Sequence, residues 1–214
     1  MSTIKVENVI AASHLGKELE LISLATELPN ARYSSSGNPS VIIEMDTNSS
    51  KKAAGVLFSN GKALVTGITN LDEGKSNMLN LKKLVKKYDS KVSTKRATKL
   101  ENMVVKENIG MVVDLKAMAL AIPGSEYDPL RFQGLILRME KPKASFIIFK
   151  SGVLIVTDII SEAKAKKALK EYNLEPLVKV NHISVRADDP VWMLTAPISA
   201  TRYGLYLRFL NIIF

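Results

Sequence analysis

Cysteine is absent from the chain, which removes disulfides, zinc fingers and thiol catalysis from the functions to consider and fits a reducing compartment. Histidine is scarce. His14 and His182 stand far apart without companions, a pattern that favours satisfied or solvated side chains over a metal centre or a general base. A Gly-rich phosphate loop, a G-x-S-x-G elbow and an H-E-x-x-H pair are all missing. Nothing nominates a catalytic site, so the expectation is a non-enzyme with no metal and no cofactor. No uninterrupted apolar run approaches the roughly 20 residues needed to span a bilayer. The opening MSTIKVENVIAAS places charges inside what a signal peptide would keep apolar. A soluble protein with no membrane partner is expected.

What the chain does have is an ordinary globular balance, 46% apolar and 24% charged residues, which argues against disorder. Its 214 residues suffice for one domain or two intimately joined halves. Thirty Lys and Arg against 21 Asp and Glu leave a net charge of +9. Such an excess suits a polyanionic partner, nucleic acid or an acidic surface.

The informative feature is internal repetition. KVENVIAASHLGKELELISLATELPNARY at 5–33 parallels KLENMVVKENIGMVVDLKAMALAIPGSEY at 99–127, so that Asn8 matches Asn102, Gly16 matches Gly110 and Tyr33 matches Tyr127, each pair 94 apart. Further on, VLFSNGKALVTG at 56–67 parallels IIFKSGVLIVTD at 147–158, where Phe58 matches Phe149 and Thr66 matches Thr157 at an offset of 91. One short insertion in the first copy, within MDTNSSKKAAG, accounts for the change of offset.

Each copy reads as strand, helix, antiparallel strands and a second helix. In the first, a β-branched run gives a strand over 6–12, and His14-Leu15-Gly16 turns the chain. Helical spacing of Leu19, Ile22, Leu24 and Ala25 predicts a helix over 18–27, ended by Pro29-Asn30. Strands follow at 41–45, 54–58 and 63–66. The last two are joined by Ser59-Asn60-Gly61-Lys62, a hairpin signal because Asn and Gly tolerate positive φ. A helix over 72–88 carries Met78, Leu81, Leu84 and Val85 on one face, with Lys82, Lys83, Lys86 and Lys87 expected off it, towards solvent. The second copy repeats the order, with strands near 100–106, 134–139, 145–149 and 154–157 and helices near 113–121 and 161–172. The expected organisation is a first repeat at 1–92, a second at 93–176 and an extension at 177–214 that holds the only tryptophan, Trp192. The fold class is α+β, with helices on one face of each antiparallel layer and the other face left to solvent or a ligand.

With these residues in view, the chain resembles the TATA-box-binding protein family. SEYDPLRFQGLILRMEKPKASFIIFKSG at 125–152 is similar to that family's second-repeat stirrup, Asn8 and Asn102 stand where it has paired Asn-x-Val strands, and GKALVTG at 61–67 matches its Gly-Lys-x-Val-x-Thr-Gly strand. The resemblance covers about 5–172. It implies a saddle with a continuous curved antiparallel sheet as the concave face and helices on the convex face. That sheet would press into the minor groove of double-stranded A·T-rich promoter DNA and bend it with Phe wedges. It further implies a transcription initiation factor that recruits a B-type initiation factor and RNA polymerase, in the cytoplasm of an archaeon or the nucleus of a eukaryote. Carried over by position, Phe58, Phe132 and Phe149 are wedges. Asn8 and Asn102 meet base acceptors, with Thr66 and Thr157 beside them. Ile10, Val56, Leu64, Val104, Ile147 and Ile155 form an apolar floor, and Lys62, Arg131, Arg138 and Lys143 approach phosphates. Asp128 is expected at the partner-binding stirrup, while Lys82, Lys83, Lys86 and Lys87 form a basic patch for partners.

The first repeat departs from the family pattern. Asn38 stands where a wedge Phe is expected and Glu44 where a phosphate-facing Arg is expected. In the second repeat Val153 replaces the counterpart of Lys62, and Leu130 replaces a commonly acidic residue. These changes keep open an alternative, a protein-interaction module with the same fold and little DNA affinity. Bland readings also stand beside the sharp ones: a strand-end Phe as core, Asn8 and Asn102 as turn formers, the two Thr as ordinary strand residues, and the run of eight bases and one acid, Asp89, at 82–99 as a solvated helix face and linker.

Overall fold

The computed structural model describes residues 4–45 and 52–172, so the extension expected at 177–214 lies outside the described residues. The first copy runs β1 (Lys5–His14), α1 (Leu21–Glu27), β2 (Ala31–Ser34), β3 (Ser40–Met45), β4 (Ala53–Phe58), β5 (Lys62–Ile68) and α2 (Leu71–Tyr88). The second runs β6 (Lys99–Asn108), α3 (Leu115–Ala121), β7 (Gly134–Glu140), β8 (Lys143–Phe149), β9 (Val153–Ile159) and α4 (Glu162–Tyr172). One compact unit comprises Asn8–Glu101, and the described part of the other is 102–172 with residues 4–7.

Strand order in the first unit is β2-β3-β4-β5-β1, and in the second β6-β9-β8-β7, with antiparallel pairing throughout. The expected α+β class is met in each. Side chains alternate between the two faces of a strand, so one face takes Val9, Ala11, Gly55, Leu57 and Ile68. Helix α2 closes on this face. A Cβ on Gly55 would stand 2.9 Å from Leu81, and one on Gly74 2.7 Å from Ile68 and 2.8 Å from Ala11. Asn70 caps α2 by accepting the Glu73 amide at 2.8 Å, while Asp72 and Glu73 in the first turn and Lys86 and Lys87 in the last match the helix dipole. In the second unit Val105, Leu135, Leu137, Phe146, Ile148, Leu154 and Val156 form one core with Met118 of α3 and with Ala165 and Ala168 of α4.

Both strand pairs that flank the matched asparagines carry a register shift, between Val9 and Ala11 and between Met103 and Val105. Each bulge brings a residue at positive φ on the partner strand, Gly67 at 80° and Asp158 at 61°.

Three local expectations change. Helix α1 begins at Leu21 rather than 18, because the Leu19 amide donates to the Ser59 carbonyl at 2.8 Å and holds that stretch against the hairpin. Helix α3 begins at Leu115 for the same reason in the second copy: the Val113 amide is taken by the Lys150 carbonyl at 2.9 Å, and the Asp114 carboxylate then caps the amides of Lys116 and Ala117. The third is an additional strand, β2, pairing Arg32 with Ile42. Its counterpart in the second copy shrinks to one bridge, Glu126 to Ile136.

Candidate nucleic-acid interface

Among the described residues, the face opposite α1 and α2 is built from strands alone. Ile10, Ala12, Val56 and Leu64 form an apolar cluster, with Ile42 and Phe58 packed against it. Cross-strand register explains the grouping: Ala12 lies opposite Leu64, Leu64 opposite Val56, and Val56 opposite Ile42. No residue of a described helix belongs to this cluster. The second unit repeats the arrangement. Ile155 stands opposite Ile147 and Ile147 opposite Ile136, and none of the three belongs to the core that holds the helices. Val104 alternates with Val105 of that core and so faces the same way as Ile155. All six floor residues, Ile10, Val56, Leu64, Val104, Ile147 and Ile155, therefore lie on the faces turned away from the described helices.

The phenylalanines sit at the end of this floor. Phe149 closes β8 opposite Gly134. Phe132 arrives from the turn that follows Asp128, and its ring meets Phe149 edge to face, with centroids 5.9 Å apart at 67°. Gly134 is what admits it, since a Cβ there would come within 2.8 Å of the Phe132 ring and 3.0 Å of Ile147. Phe58 holds the equivalent place in the first unit, opposite Ser40. Among the described residues no aromatic ring pairs with it, and Asn38, at the position matching Phe132, is exposed in a bend.

Asn8 and Asn102 do lie beside their threonines. Each Nδ2 donates to the hydroxyl, Asn8 to Thr66 and Asn102 to Thr157, at 2.9 Å in both cases. The two are nonetheless unequal. Asn8 is 0% exposed and its Oδ1 accepts the Gly67 amide at 2.8 Å. Both of its side-chain polar atoms thus fasten the bulge. Asn102 keeps part of its surface open while its Oδ1 accepts the Met103 amide at 2.8 Å.

The cations vary in availability. Lys143 and Arg131 are exposed. Lys62 is paired with Glu101 at 2.6 Å, and Arg138 with Glu126. Two further residues belong to the surface although motif matching passes over them. Lys106 stands opposite Ile155 on β6, where the first unit has Ala12. Arg32 stands opposite Ile42 on β2. Strand alternation combined with the offset of 94 was the signal that finds both. In the second stirrup the Asp128 carboxylate accepts the Leu130 amide at 3.0 Å and its carbonyl accepts those of Arg131 and Phe132, leaving Leu130 96% exposed.

On α2, Lys83, Lys86 and Lys87 face solvent as expected, but Lys82 does not. It is 2% exposed, and its ammonium donates to the Arg96 carbonyl at 2.5 Å. Position 82 follows Leu81 and lies three before Val85, so the helix turns it towards the connector after α2 rather than outward. Burial lowers its pKa from the ordinary 10.5. Between that lowered value and 10.5 the unfolded chain binds more protons than the folded one, so this group makes stability rise as pH rises through the window. Lys82→Met should remove that rise and leave neutral-pH stability within about 1 kcal/mol of the parent, because the Ser13 hydroxyl also donates to the Arg96 carbonyl, at 3.3 Å. Urea titrations at pH 7 and pH 10.5 check both statements.

Among the described residues no group of three or more His, Asp or Glu stands close enough to hold a metal. What the geometry defines is a duplicated α+β protein in which each unit carries an apolar, strand-built face with cations near it. The chain matches the model of the family described as "Transcription factor TFIID (or TATA-binding protein, TBP)" over residues 3–88 and 97–174. It belongs to that family. The TATA-box-binding protein of Thermococcus kodakarensis is 33% identical over 80% of this chain and 90% of its own length, and that of Sulfolobus acidocaldarius 29% identical over 79% and 85%. A solved structure, Methanococcus jannaschii TBP, superposes with a TM-score of 0.63 at 31% identity, covering 82% of this chain and 98% of the other.

Proposed function

We propose that the chain is a general transcription initiation factor that binds TATA-like, A·T-rich promoter DNA in the minor groove and bends it. The observation that carries this reading is the repeated helix-free floor, ended by Phe58 in one unit and by the Phe132–Phe149 pair over Gly134 in the other. Apolar side chains suit the sugars and base edges of a groove that offers few polar groups at A·T pairs. Aromatic edges at the end of the floor suit insertion between base steps, a mode for which TATA-box-binding proteins are themselves a standing example. Asn102, with Thr157, takes the base acceptors; Lys62, Arg131, Arg138 and Lys143 take phosphates, contributing affinity and salt dependence rather than sequence choice.

The stirrup at Asp128 and Leu130 and the exposed Lys83, Lys86 and Lys87 are the surfaces for a B-type initiation factor and the polymerase machinery. The site of action is wherever the chromosome lies, the cytoplasm in an archaeal host. Gel shifts of the full chain on TATA-like and scrambled duplexes, with bending read by fluorescence transfer between end labels, test the assignment. Preference for the TATA-like duplex together with a bend is the expected result. Equal affinity for both duplexes and no bend would refute it.

A further inference from the structure

Glu44 looks like a defect in a surface meant for phosphates, but the strand register gives it a partner change. In the second unit Glu126 bridges Ile136, and Arg138, two residues further along β7, pairs with Glu126. At the offset of 94 the matching positions are 32, 42 and 44. Arg32 lies opposite Ile42, and Glu44 follows two residues along β3. Acid and base have exchanged strands, so the first unit carries its cation on β2 and its anion on β3, the reverse of the second.

Ile42 packs against the helix-free cluster, and cross-strand partners share a face. Arg32 therefore projects on the same side as the apolar floor, on the outermost strand of its unit. It is exposed, and its side chain makes no hydrogen bond or ion pair among the described residues. Glu44, for its part, is neutralised by Lys52 at 3.4 Å. Lys52 matches Lys143 at the offset of 91, so the first unit's carboxylate is matched by a cation the repeat already supplies.

Resting on the DNA-binding reading above, we propose that Arg32 is the phosphate-contacting residue of the first repeat, replacing by a cross-strand charge exchange the contact that an arginine at position 44 would make. A rim cation beside an apolar floor meets the backbone strands that flank the groove, whereas one on the helix side would not. Each phosphate neutralised contributes about 0.9 to the slope of log affinity against log salt.

The test is a salt series, read by fluorescence anisotropy, of the full chain on a short A·T-rich duplex. Arg32→Ala should lower the slope by about 0.9, as should Arg138→Ala. Arg32→Glu should weaken binding further, and Arg32→Glu combined with Glu44→Arg, which recreates the second unit's arrangement, should restore the parent's slope. Thermal melting should be little changed by Arg32→Ala, since the side chain is exposed and makes no hydrogen bond or ion pair among the described residues. An unchanged slope for Arg32→Ala beside a lowered one for Arg138→Ala would overturn the proposal, as would failure of the double exchange to recover. A parent chain without salt-dependent affinity for the duplex would overturn the DNA-binding reading itself, and this proposal with it.

Discussion

Phe149→Ala is expected to cost the protein most of the bend at the second-repeat end of its site, and to lower affinity for a TATA-like duplex roughly ten- to a hundredfold, the scale of losing one aromatic–base contact. Affinity for scrambled duplex should barely move, because that binding is set by phosphates. The reason lies in how the two rings are held. Phe149 is fixed by β8 and stands opposite Gly134, whereas Phe132 comes from a turn and rests over the same glycine. Phe132 takes its orientation from the edge-to-face contact with Phe149. Truncating Phe149 therefore removes one wedge and releases the other. Phe58→Ala should have the smaller effect, since among the described residues Phe58 has no aromatic neighbour to release and Asn38 occupies the place of its mate. Fluorescence transfer across a labelled duplex, compared among parent, Phe58→Ala and Phe149→Ala, measures the difference. A Phe149→Ala protein that bends the duplex as the parent does would remove Phe149 from the wedge role.

The duplicated plan was legible because two independent signals agree: matched residues at constant offset, and apolar alternation that changes to helical spacing in the same places in both copies. The floor was legible too. Once Phe58 and Thr66 are aligned with Phe149 and Thr157, a period of two assigns Val56, Leu64, Ile147 and Ile155 to one face. What escaped was set by long-range geometry. Strand β2 reads Ala-Arg-Tyr-Ser, with no apolar alternation, and exists because β3 offers it an edge. The start of α1 depends on a hydrogen bond to a hairpin some 40 residues away. Lys82 looks like its neighbours Lys83, Lys86 and Lys87, and only the return of the connector past Ser13 and Arg96 gives its ammonium an acceptor. Asn8 and Asn102 are alike in sequence context, yet one is sealed and the other partly open. Glu44 taken by itself is a lost contact, since position 44 alone shows only the change of charge. The exchange with Arg32 is visible only when β2 is known to pair with β3.

The same contrast between local signal and tertiary demand sets the largest stability effect, at Gly61. The Asn60-Gly61 turn would form a hairpin on local grounds alone: Gly61 has φ of 84°, and the Asn60 side chain accepts the Lys62 amide at 3.0 Å. Its setting is tighter than a turn requires. The Gly61 carbonyl accepts the Leu15 amide at 2.8 Å, and a Cβ would stand 2.0 Å from the Lys17 carbonyl and 2.8 Å from the His14 ring. Gly61→Ala therefore incurs the left-handed penalty of about 1 kcal/mol and must also displace the 14–17 backbone, together about 3 kcal/mol. That corresponds to a drop in melting temperature of roughly 6 to 12 °C for a chain of this size. Gly37 provides the control. Its φ is 76°, but a Cβ would find nothing within 4 Å, so Gly37→Ala should lower the melting temperature by only roughly 2 to 4 °C. Calorimetry of the two variants separates backbone strain from steric displacement. Equal losses would mean that the 14–17 loop yields freely. The loss at Gly61 should also reach the surface, because that hairpin holds Phe58 and Lys62 at its two ends. Gly61→Ala should then bind the TATA-like duplex more weakly than Gly37→Ala even at a temperature where both remain folded.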